Sequence, residues 1–293
     1  MSIECKRRIA IAMAFAVTHA LVAATNVCAA AAPQTTAATP VPRIMVVVLE
    51  NTNYAAALQQ PFLAELAKRG ALLTNFRAEA HPSQPNYIAL VAGSTYGVTS
   101  DSNVTLDGRH LGDLMEAKGL QWKVYAEGYP GNCFLGASSG AYVRKHVPFL
   151  SFRNVQQDPR RCGRIVNASA LADDVRNATL PSFSLYVPDS DDDGHDTGVA
   201  FADRWLSATF GPLLDNPVFA NGLLFIVTFD ESASSLFADN HVATIIVGDA
   251  VRPGTVLSAV HDHYSLLRLV EDTLGVGNLG QQDATAGAIS GLR

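Results

Sequence analysis

Polar residues able to hold a metal ion directly follow two of the most apolar runs in this chain. Glu50 and Asn51 come after RIMVVVL, and Asp230 and Glu231 come after LLFIVTF. Carboxylate and amide oxygens are the ligands that hard divalent cations prefer. Taken alone, either pair is more typical of a turn with solvated side chains. A third acidic stretch, residues 189–196, follows SFSLYVP, and carboxylates gathered from three such positions would repel one another without a cation among them.

The segment HPSQPNY, residues 81–87, places a serine at the start of a predicted helix. Ser83 is either the N-cap of that helix, with Pro85 in the first turn, or a nucleophile. The two roles are compatible, because the positive end of a helix favours an oxyanion or a phosphate. The chain has no GxSxG motif, and His81 is too close to Ser83 in sequence to be the ordinary base of a triad. An α/β-hydrolase is therefore disfavoured.

A histidine lies in the acidic stretch PDSDDDGHDTG. Its five aspartates have the composition of a calcium loop, but the glutamate at the twelfth position of an EF-hand is missing. A solvated acidic loop is one interpretation. The other is functional, since His195 among carboxylates is suited to protonating a leaving oxygen.

Strand-like and helix-like segments alternate from residue 43 onward. RIMVVVL, LLFIVTF and HVATIIVG are typical of buried strands, whereas PFLAELAKRG and HYSLLRLVEDTLG have helical spacing and end at glycine. We therefore predict an α/β fold with a mostly parallel central sheet and helices on both faces. Ligands bind such sheets at the carboxyl ends of the strands, where the acidic pairs lie.

The segment 126–168 interrupts this alternation. It contains turns rich in glycine and serine, six basic residues, and the cysteines Cys133 and Cys162. We expect it to lie over the sheet edge, joined by a disulfide between these cysteines, with two buried free thiols as the alternative. The basic residues are either a solvated face or a means of attracting an anionic substrate.

The first 32 residues have the features of a secretory signal peptide. Lys6, Arg7 and Arg8 precede an apolar run, and small residues follow. The run is shorter than the roughly 20 residues of a spanning helix. We expect an exported, periplasmic or extracellular protein without stable membrane insertion; an uncleaved anchor is the alternative. Residues 33–42 are predicted to be a flexible leader and residues 43–293 one catalytic domain.

The net charge argues against a nucleic-acid partner. The chain has 21 basic and 27 acidic residues, a balance of −6. Three of the basic residues and one of the acidic residues lie within residues 1–30, so the rest of the chain carries −8. A surface of that sign does not attract polyanions.

In their order along the chain, these segments resemble a known family. EN, HPSQPNY, VPDSDDDGHD, TFDE, NHVATIIVG and HYSLLRLVED resemble the phosphoesterase family that includes bacterial and fungal acid phosphatases and bacterial phospholipases C, within the alkaline-phosphatase-like superfamily. HPSQPNY is the most specific segment. Asp189 is a departure, because related sequences often carry asparagine after that proline.

The resemblance implies a role for each candidate residue. It implies one divalent metal ion and a nucleophilic Ser83 that both contacts the ion and forms a phosphoserine. His81 and Asn86 are implied to lie around the phosphoryl group, and His195 to assist the leaving group. The implied metal ligands are Glu50, Asn51, Ser83, Asp230 and Glu231. His241 and His263 either complete a second metal site, as in two-metal relatives, or have packing and hydrogen-bonding roles.

We therefore expect a secreted, metal-dependent acid phosphatase acting on small-molecule phosphate monoesters. A phospholipase C or another phosphodiesterase using the same site is the first alternative. A secreted binding module that keeps the fold without turnover is the second.

Overall fold

A computed structural model describes residues 42–233 and 239–293 of the chain. The predicted signal peptide, residues 1–32, and all but the last residue of the predicted leader, residues 33–42, lie outside the described residues. None of the described helices is both long and apolar enough to cross a membrane.

Strands and helices alternate as predicted. The strands are β1 (Arg43–Leu49), β2 (Ala71–Arg77), β3 (Trp122–Ala126), β4 (Ser138–Ser139), β5 (Tyr142–Val143), β6 (Ile165–Asn167), β7 (Phe183–Val187), β8 (Leu223–Phe229), β9 (His241–Val247), β10 (Thr255–Leu257) and β11 (His261–Asp262). The α-helices are α1 (Tyr54–Leu58), α2 (Pro61–Arg69), α3 (Ser83–Ala92), α4 (Leu111–Ala117), α5 (Arg153–Gln156), α6 (Pro159–Cys162), α7 (Ala170–Arg176), α8 (Val199–Leu214), α9 (Pro217–Ala220) and α10 (His263–Leu274). Short 3₁₀ helices cover Arg144–His146, Pro148–Ser151 and Gln282–Ala284.

One mixed sheet organises the part of the chain that the structure describes. Its nine strands follow the order β10, β2, β9, β8, β1, β7, β3 and β6, with β11 also paired to β2. β9 runs antiparallel to β2 and β8, whereas the other described pairs in this sheet are parallel. The predicted mostly parallel α/β fold is confirmed.

The central strands are buried along nearly their whole length, which is why their sequences do not alternate between polar and apolar residues. β7 and β8 are buried throughout, and β1 is buried apart from its first residue. A strand can be buried on both faces only if both are covered. The helices that cover this sheet pack in two groups, with α3 against α10 and with α2 against α8.

The direction of β9 brings further residues to the edge of the sheet at which β1, β7 and β8 end. β8 and β9 are successive antiparallel strands, so β9 starts near the edge at which β8 ends. The pairing of Arg77 with His241 places the end of β2 at the same edge. The ends of β1, β2, β7 and β8 and the start of β9 therefore share one side of the molecule.

The segment 126–168 contributes more to the sheet than predicted. A disulfide joins Cys133 and Cys162, with 5.5 Å between their Cα atoms, as predicted. β4 and β5 form a small antiparallel hairpin within it. Its last part, β6, pairs in parallel with β3 and becomes an edge strand. Three residues are too few to show a strand period in the sequence.

Candidate active site

The two predicted metal-binding pairs lie side by side because β1 and β8 are parallel neighbours. Their register pairs Leu49 with Phe229, the residues directly before the two pairs. Beyond the strands, the backbone N–H of Asn51 donates to Oδ1 of Asp230 at 3.1 Å. Asn51 has a φ of 44°, a left-handed conformation that asparagine adopts more readily than most residues. The chain thus turns here while keeping the two pairs in contact.

Ser83 joins this cluster from α3. Its hydroxyl donates to Oε2 of Glu50 at 3.0 Å, and Oε1 of Glu231 lies 3.4 Å from the same oxygen. The prediction that Ser83 caps the helix is wrong: Pro82 holds the cap position, and no side chain caps the helix there. The hydroxyl points across to the carboxylates, which meet its hydrogen-bonding needs in place of the helix backbone.

The carboxyl groups of the cluster are crowded and deeply buried. Burial raises the pKa of Glu50 well above its ordinary value, and Asp230 and Asp193 raise it further. Burial is also the main reason that the pKa of Asp230 is raised. The pKa of Glu231 is raised to about 8 by burial and by the charge of Asp230. Deprotonated together, these groups need a positive charge among them.

The unsatisfied atoms of the cluster fit a hard cation. Oδ1 of Asn51 and Oδ2 of Asp230 are buried and have no hydrogen-bond partner among the described residues. With the carboxylates of Glu50 and Glu231, they make a set of oxygen donors from two adjacent strand ends. That is the ligand chemistry of Mg²⁺, Ca²⁺ or Mn²⁺.

A buried histidine that sequence reasoning missed also contacts this cluster. Nε2 of His146 lies 3.2 Å from Oε1 of Glu50, and Nδ1 lies 3.4 Å from Oδ2 of Asp193. Burial lowers the pKa of His146 to about 3, so its ring is neutral. Burial raises the pKa of Asp193 to about 7. The ligand atoms of the three residues lie within 4.8 Å of one another, close enough to share a metal ion.

Tyr87 is a second residue that sequence reasoning missed. Its hydroxyl donates to Oε1 of Glu50 at 2.5 Å, and its ring stacks on His146 with 4.9 Å between centroids. Tyr87 lies four residues after Ser83, on the same face of α3. That spacing within HPSQPNY was a usable signal, whereas nothing in the sequence around His146 indicated its position.

His81 and Asn86 lie on either side of Ser83 but make different contacts. Nδ1 of His81 lies 2.5 Å from Oε2 of Glu231, at the cluster. The side-chain oxygen of Asn86 instead accepts from the backbone N–H groups of Glu79 at 3.0 Å and Ala80 at 2.9 Å. Asn86 therefore holds the shape of the loop that leads into Ser83.

His195 lies at the border of the cluster. Its backbone N–H donates to Oδ1 of Asp193 at 2.7 Å, while Nδ1 of its ring lies 2.7 Å from Oδ1 of Asp196. Its side chain is 39% exposed. The ring is thus accessible to solvent, and Asp193 links its backbone to the buried groups.

His241 and His263 are engaged with other parts of the protein. Nε2 of His241 lies 3.0 Å from the carbonyl oxygen of Thr74, and its ring stacks on Tyr54. The buried His263 lies between Oε2 of Glu79, 2.5 Å from Nδ1, and the carbonyl oxygen of Phe229, 3.1 Å from Nε2. These contacts favour the packing and hydrogen-bonding roles over a second metal site.

Sequence comparison connects this arrangement to known proteins. Over 259 residues the chain is 34% identical to the "Probable acid phosphatase" of Kluyveromyces lactis, an alignment covering 84% of this chain and 61% of that protein. Over 242 residues it is 34% identical to the "Phosphatidylinositol-3-phosphatase" of Mycobacterium tuberculosis, covering 81% and 78% of the two chains. The chain thus spans about three fifths of the length of the fungal relatives it matches.

The fold agrees with these relationships. A protein in the alkaline phosphatase superfamily from Vibrio parahaemolyticus superposes with a TM-score of 0.61 at 15% identity, over 83% of this chain and 70% of that one. The sequence model of the Phosphoesterase family matches residues 34–277, a range that contains every residue of the cluster. The chain therefore belongs to the Phosphoesterase family.

Proposed function

We propose that this chain is a secreted, metal-dependent acid phosphatase that hydrolyses phosphate monoesters through a phosphoserine at Ser83. The observation that carries this proposal is the position of the Ser83 hydroxyl, 3.0 Å from Glu50 and 3.4 Å from Glu231. A serine is a weak nucleophile unless a base or a metal activates it, and here carboxylates from two strand ends meet at its oxygen. The names of the acid phosphatase and phosphoinositide phosphatase relatives support a monoester substrate.

The residues present fit one divalent ion. The ligands would be Glu50, Asn51, Ser83, Asp230 and Glu231. When bound, such an ion offsets negative charge on phosphoryl oxygens and lowers the pKa of a hydroxyl that it contacts.

Different groups of the site carry out the successive steps of the reaction. Oγ of Ser83 bonds to phosphorus as the ester P–O bond breaks, and the carboxylates that accept its hydrogen bonds are placed to take its proton. The N-terminus of α3, ten residues long, carries positive potential that favours the phosphoryl group. The exposed ring of His195 gives a proton to the leaving oxygen. Water then releases phosphate from the phosphoserine.

His81 and Asn86 act around the phosphoryl group. Nε2 of His81 has no hydrogen-bond partner among the described residues, and 25% of the side chain is exposed, so we assign Nε2 to a phosphoryl oxygen. Asn86 acts through the loop preceding Ser83, because its amide holds the backbone of that loop. The substrate contact thus comes from His81, and Asn86 sets the geometry.

Export fits the chemistry of the cysteines. A disulfide such as Cys133–Cys162 persists in oxidising compartments and is rare in the cytosol. We therefore place the protein in the periplasm or outside the cell. Amino-terminal sequencing of the exported protein tests the cleavage site expected near residues 30–32.

The test of function is hydrolysis of p-nitrophenyl phosphate by the wild type and by Ser83→Ala, each with and without a chelator. We expect the substitution to lower kcat/KM by at least about 10³-fold and the chelator to abolish wild-type activity. Ser169→Ala, at the exposed cap position of α7, is the matched control and should be unaffected. Acid quenching followed by mass spectrometry should find the phosphate on Ser83.

The alternatives give different results in the same experiment. Faster hydrolysis of bis-p-nitrophenyl phosphate than of the monoester would indicate a phosphodiesterase. No hydrolysis of any phosphate ester by folded wild type would indicate a binding module. Unchanged activity after both the substitution and metal removal would show that the proposed mechanism is wrong.

A further inference from the structure

Most basic residues of segment 126–168 are engaged away from the cluster. The side chain of Arg144 is buried, and its guanidinium donates to three backbone carbonyls. The other arginines form ion pairs with nearby acids: Arg153 with Asp107, Arg160 with Asp158, Arg161 with Asp113 and Glu116, and Arg164 with Glu116. These contacts account for the five arginines of the segment and leave Lys145, which pairs with Asp101.

Lys145 is linked to the residues around Ser83 through two neighbours, Asp101 and His146. Its Nζ lies 2.9 Å from Oδ2 of Asp101, and Oδ1 of Asp101 accepts from the backbone N–H of Gln84 at 3.0 Å. Gln84 directly follows Ser83. On the other side, Lys145 precedes His146, whose ring contacts Glu50. With 19% of its side chain exposed, Lys145 is mostly buried yet reachable from solvent.

Lys145 and the carboxylates of the cluster act on one another electrostatically. Burial lowers the pKa of Lys145, but Asp101, Glu50 and Asp230 outweigh burial and raise it overall. In the opposite direction, the charge of Lys145 lowers the pKa values of Glu50 and Glu231, though burial raises both more strongly. Lys145 is therefore a fixed positive charge in the field of these carboxylates.

The site needs such a charge in order to accept a phosphate monoester. The carboxylates of Glu50, Asp193, Asp230 and Glu231 carry up to four negative charges, and one divalent ion offsets two. A monoester dianion adds two more negative charges, whereas a diester adds one. An ammonium has three N–H donors, and the contact of Lys145 with Asp101 uses one of them.

We propose that Lys145 binds a phosphoryl oxygen of the substrate and thereby selects phosphate monoesters over diesters, with Asp101 as the residue that positions it. This inference rests on the proposed phosphatase function and adds the basis of its substrate preference. The second negative charge of a monoester would be offset by the ammonium of Lys145, in addition to any bound metal ion.

The test compares two substrates in three variants. Lys145→Met keeps most of the length of the side chain without its charge, and Lys145→Arg keeps a positive charge. Lys123→Met is the matched control, because Lys123 pairs with Asp174 and lies near the start of β3, at the other end of the sheet. We expect Lys145→Met to lower kcat/KM for p-nitrophenyl phosphate by about 10²-fold and for bis-p-nitrophenyl phosphate by less than about threefold. Lys145→Arg should recover part of the monoester activity, and Lys123→Met should change neither value.

Binding of inorganic phosphate by calorimetry separates this inference from the proposed function. Lys145→Met should weaken phosphate binding at least about tenfold, whether or not the wild type turns over. If the wild type has no phosphatase activity but Lys145→Met still weakens phosphate binding, the proposed function is refuted and the phosphate-binding role of Lys145 is supported. Equal loss for monoester and diester, or unchanged phosphate affinity and unchanged activity, would overturn the inference.

Discussion

Two acidic clusters at the same edge of the sheet differ in how their oxygens are satisfied. Glu50 and Asp193, with His146, are buried, whereas Glu127, Asp189 and Asp192 are partly exposed. In both sets the candidate ligand atoms lie within 4.8 Å of one another. By proximity alone, either set could hold a cation.

The second cluster has protein donors of its own. The hydroxyl of Tyr186 and the backbone N–H of Asp189 donate to Glu127 at 2.7 and 3.2 Å. The N–H of Asp192 donates to Asp189 at 3.1 Å. Around Glu50, in contrast, buried oxygens of Asp230 and Asn51 have no partner among the described residues. The comparison indicates that unsatisfied buried oxygens, and not the density of acidic residues, distinguish the better candidate for a metal site.

Of the variants that compare the two clusters, Asp230→Asn should have the largest effect. Asp230→Asn should lower kcat/KM by about 10²–10³-fold and reduce the bound metal, because it removes a charged ligand. Asp192→Asn should change both by less than about threefold, since surface substitutions have small effects. Kinetics and elemental analysis of the purified variants provide the measurement. Metal loss in Asp192→Asn with metal retained in Asp230→Asn would reverse the assignment of the two clusters.

The next largest effect, on stability, is expected at the pair formed by Glu79 and His263. Removing the His263 ring takes away the ion-pair partner of the Glu79 carboxylate, whose side chain is only 9% exposed, and leaves it the backbone N–H of residue 263 as a donor. His263→Ala should therefore lower the free energy of unfolding by about 3 kcal/mol. His241→Ala, which loses a carbonyl contact and a ring stack, should cost about 1 kcal/mol. Urea denaturation measures both. Similar losses in the two variants would show that the pair of His263 with Glu79 contributes no more to the free energy of unfolding than the contacts of His241.

The effect of His263 depends on pH. Burial lowers the pKa of His263, but Glu79 raises it more, so the pKa in the folded protein is above the ordinary value. A raised pKa means that the stabilisation is complete below the pKa of the unfolded chain and is lost as pH rises through that of the folded chain. The difference between wild type and His263→Ala should therefore shrink in alkaline buffer.

The smallest expected effect concerns a buried acid without metal chemistry. Glu271 is buried and its carboxyl oxygens have no hydrogen-bond partner among the described residues. Burial, followed by the charge of Asp283, raises its pKa to about 9. The folded protein thus retains a proton that the unfolded chain releases above about pH 4.3, so stability falls as pH rises from there to about 9.

Glu271→Gln should remove this pH dependence. We expect Tm at pH 8 to rise by about 2–4 °C and Tm at pH 4 to stay unchanged. Glu65→Gln, an exposed glutamate on α2, is the control and should change Tm little at either pH. Thermal denaturation at the two pH values measures these changes in Tm. A Tm for Glu271→Gln below that of the wild type at pH 8 would contradict a protonated Glu271.

Much of the fold could be predicted because the central strands are buried on both faces. β1, β7 and β8 are largely continuous apolar runs for that reason, and the ends of β1 and β8 could be located to the residue. The predicted run around β7 is one residue longer at each end than the strand. The pairs Glu50–Asn51 and Asp230–Glu231 could be predicted to meet, because parallel strands end at a common edge. The family resemblance supplied the roles of those residues, which spacing alone left open.

Other features depend on contacts that no local pattern records. His146 reaches Glu50 from a segment without regular periodicity. β6 joins the sheet with three residues. The orientation of the Ser83 hydroxyl follows from carboxylates 33 and 148 residues away in sequence, so a local rule for helix caps predicted the wrong partner.

The sequence by itself determined which residue types follow each strand, the order of those strands along the chain and the presence of a serine hydroxyl beside them. Tertiary structure decided which carboxylates share one buried space. Asp193 joins Glu50 while Asp189 and Asp192 turn to Glu127, although all three belong to one acidic stretch. The physical reason is burial: desolvation and the lack of a donor act on individual oxygens, and packing of distant segments decides which oxygens water can reach.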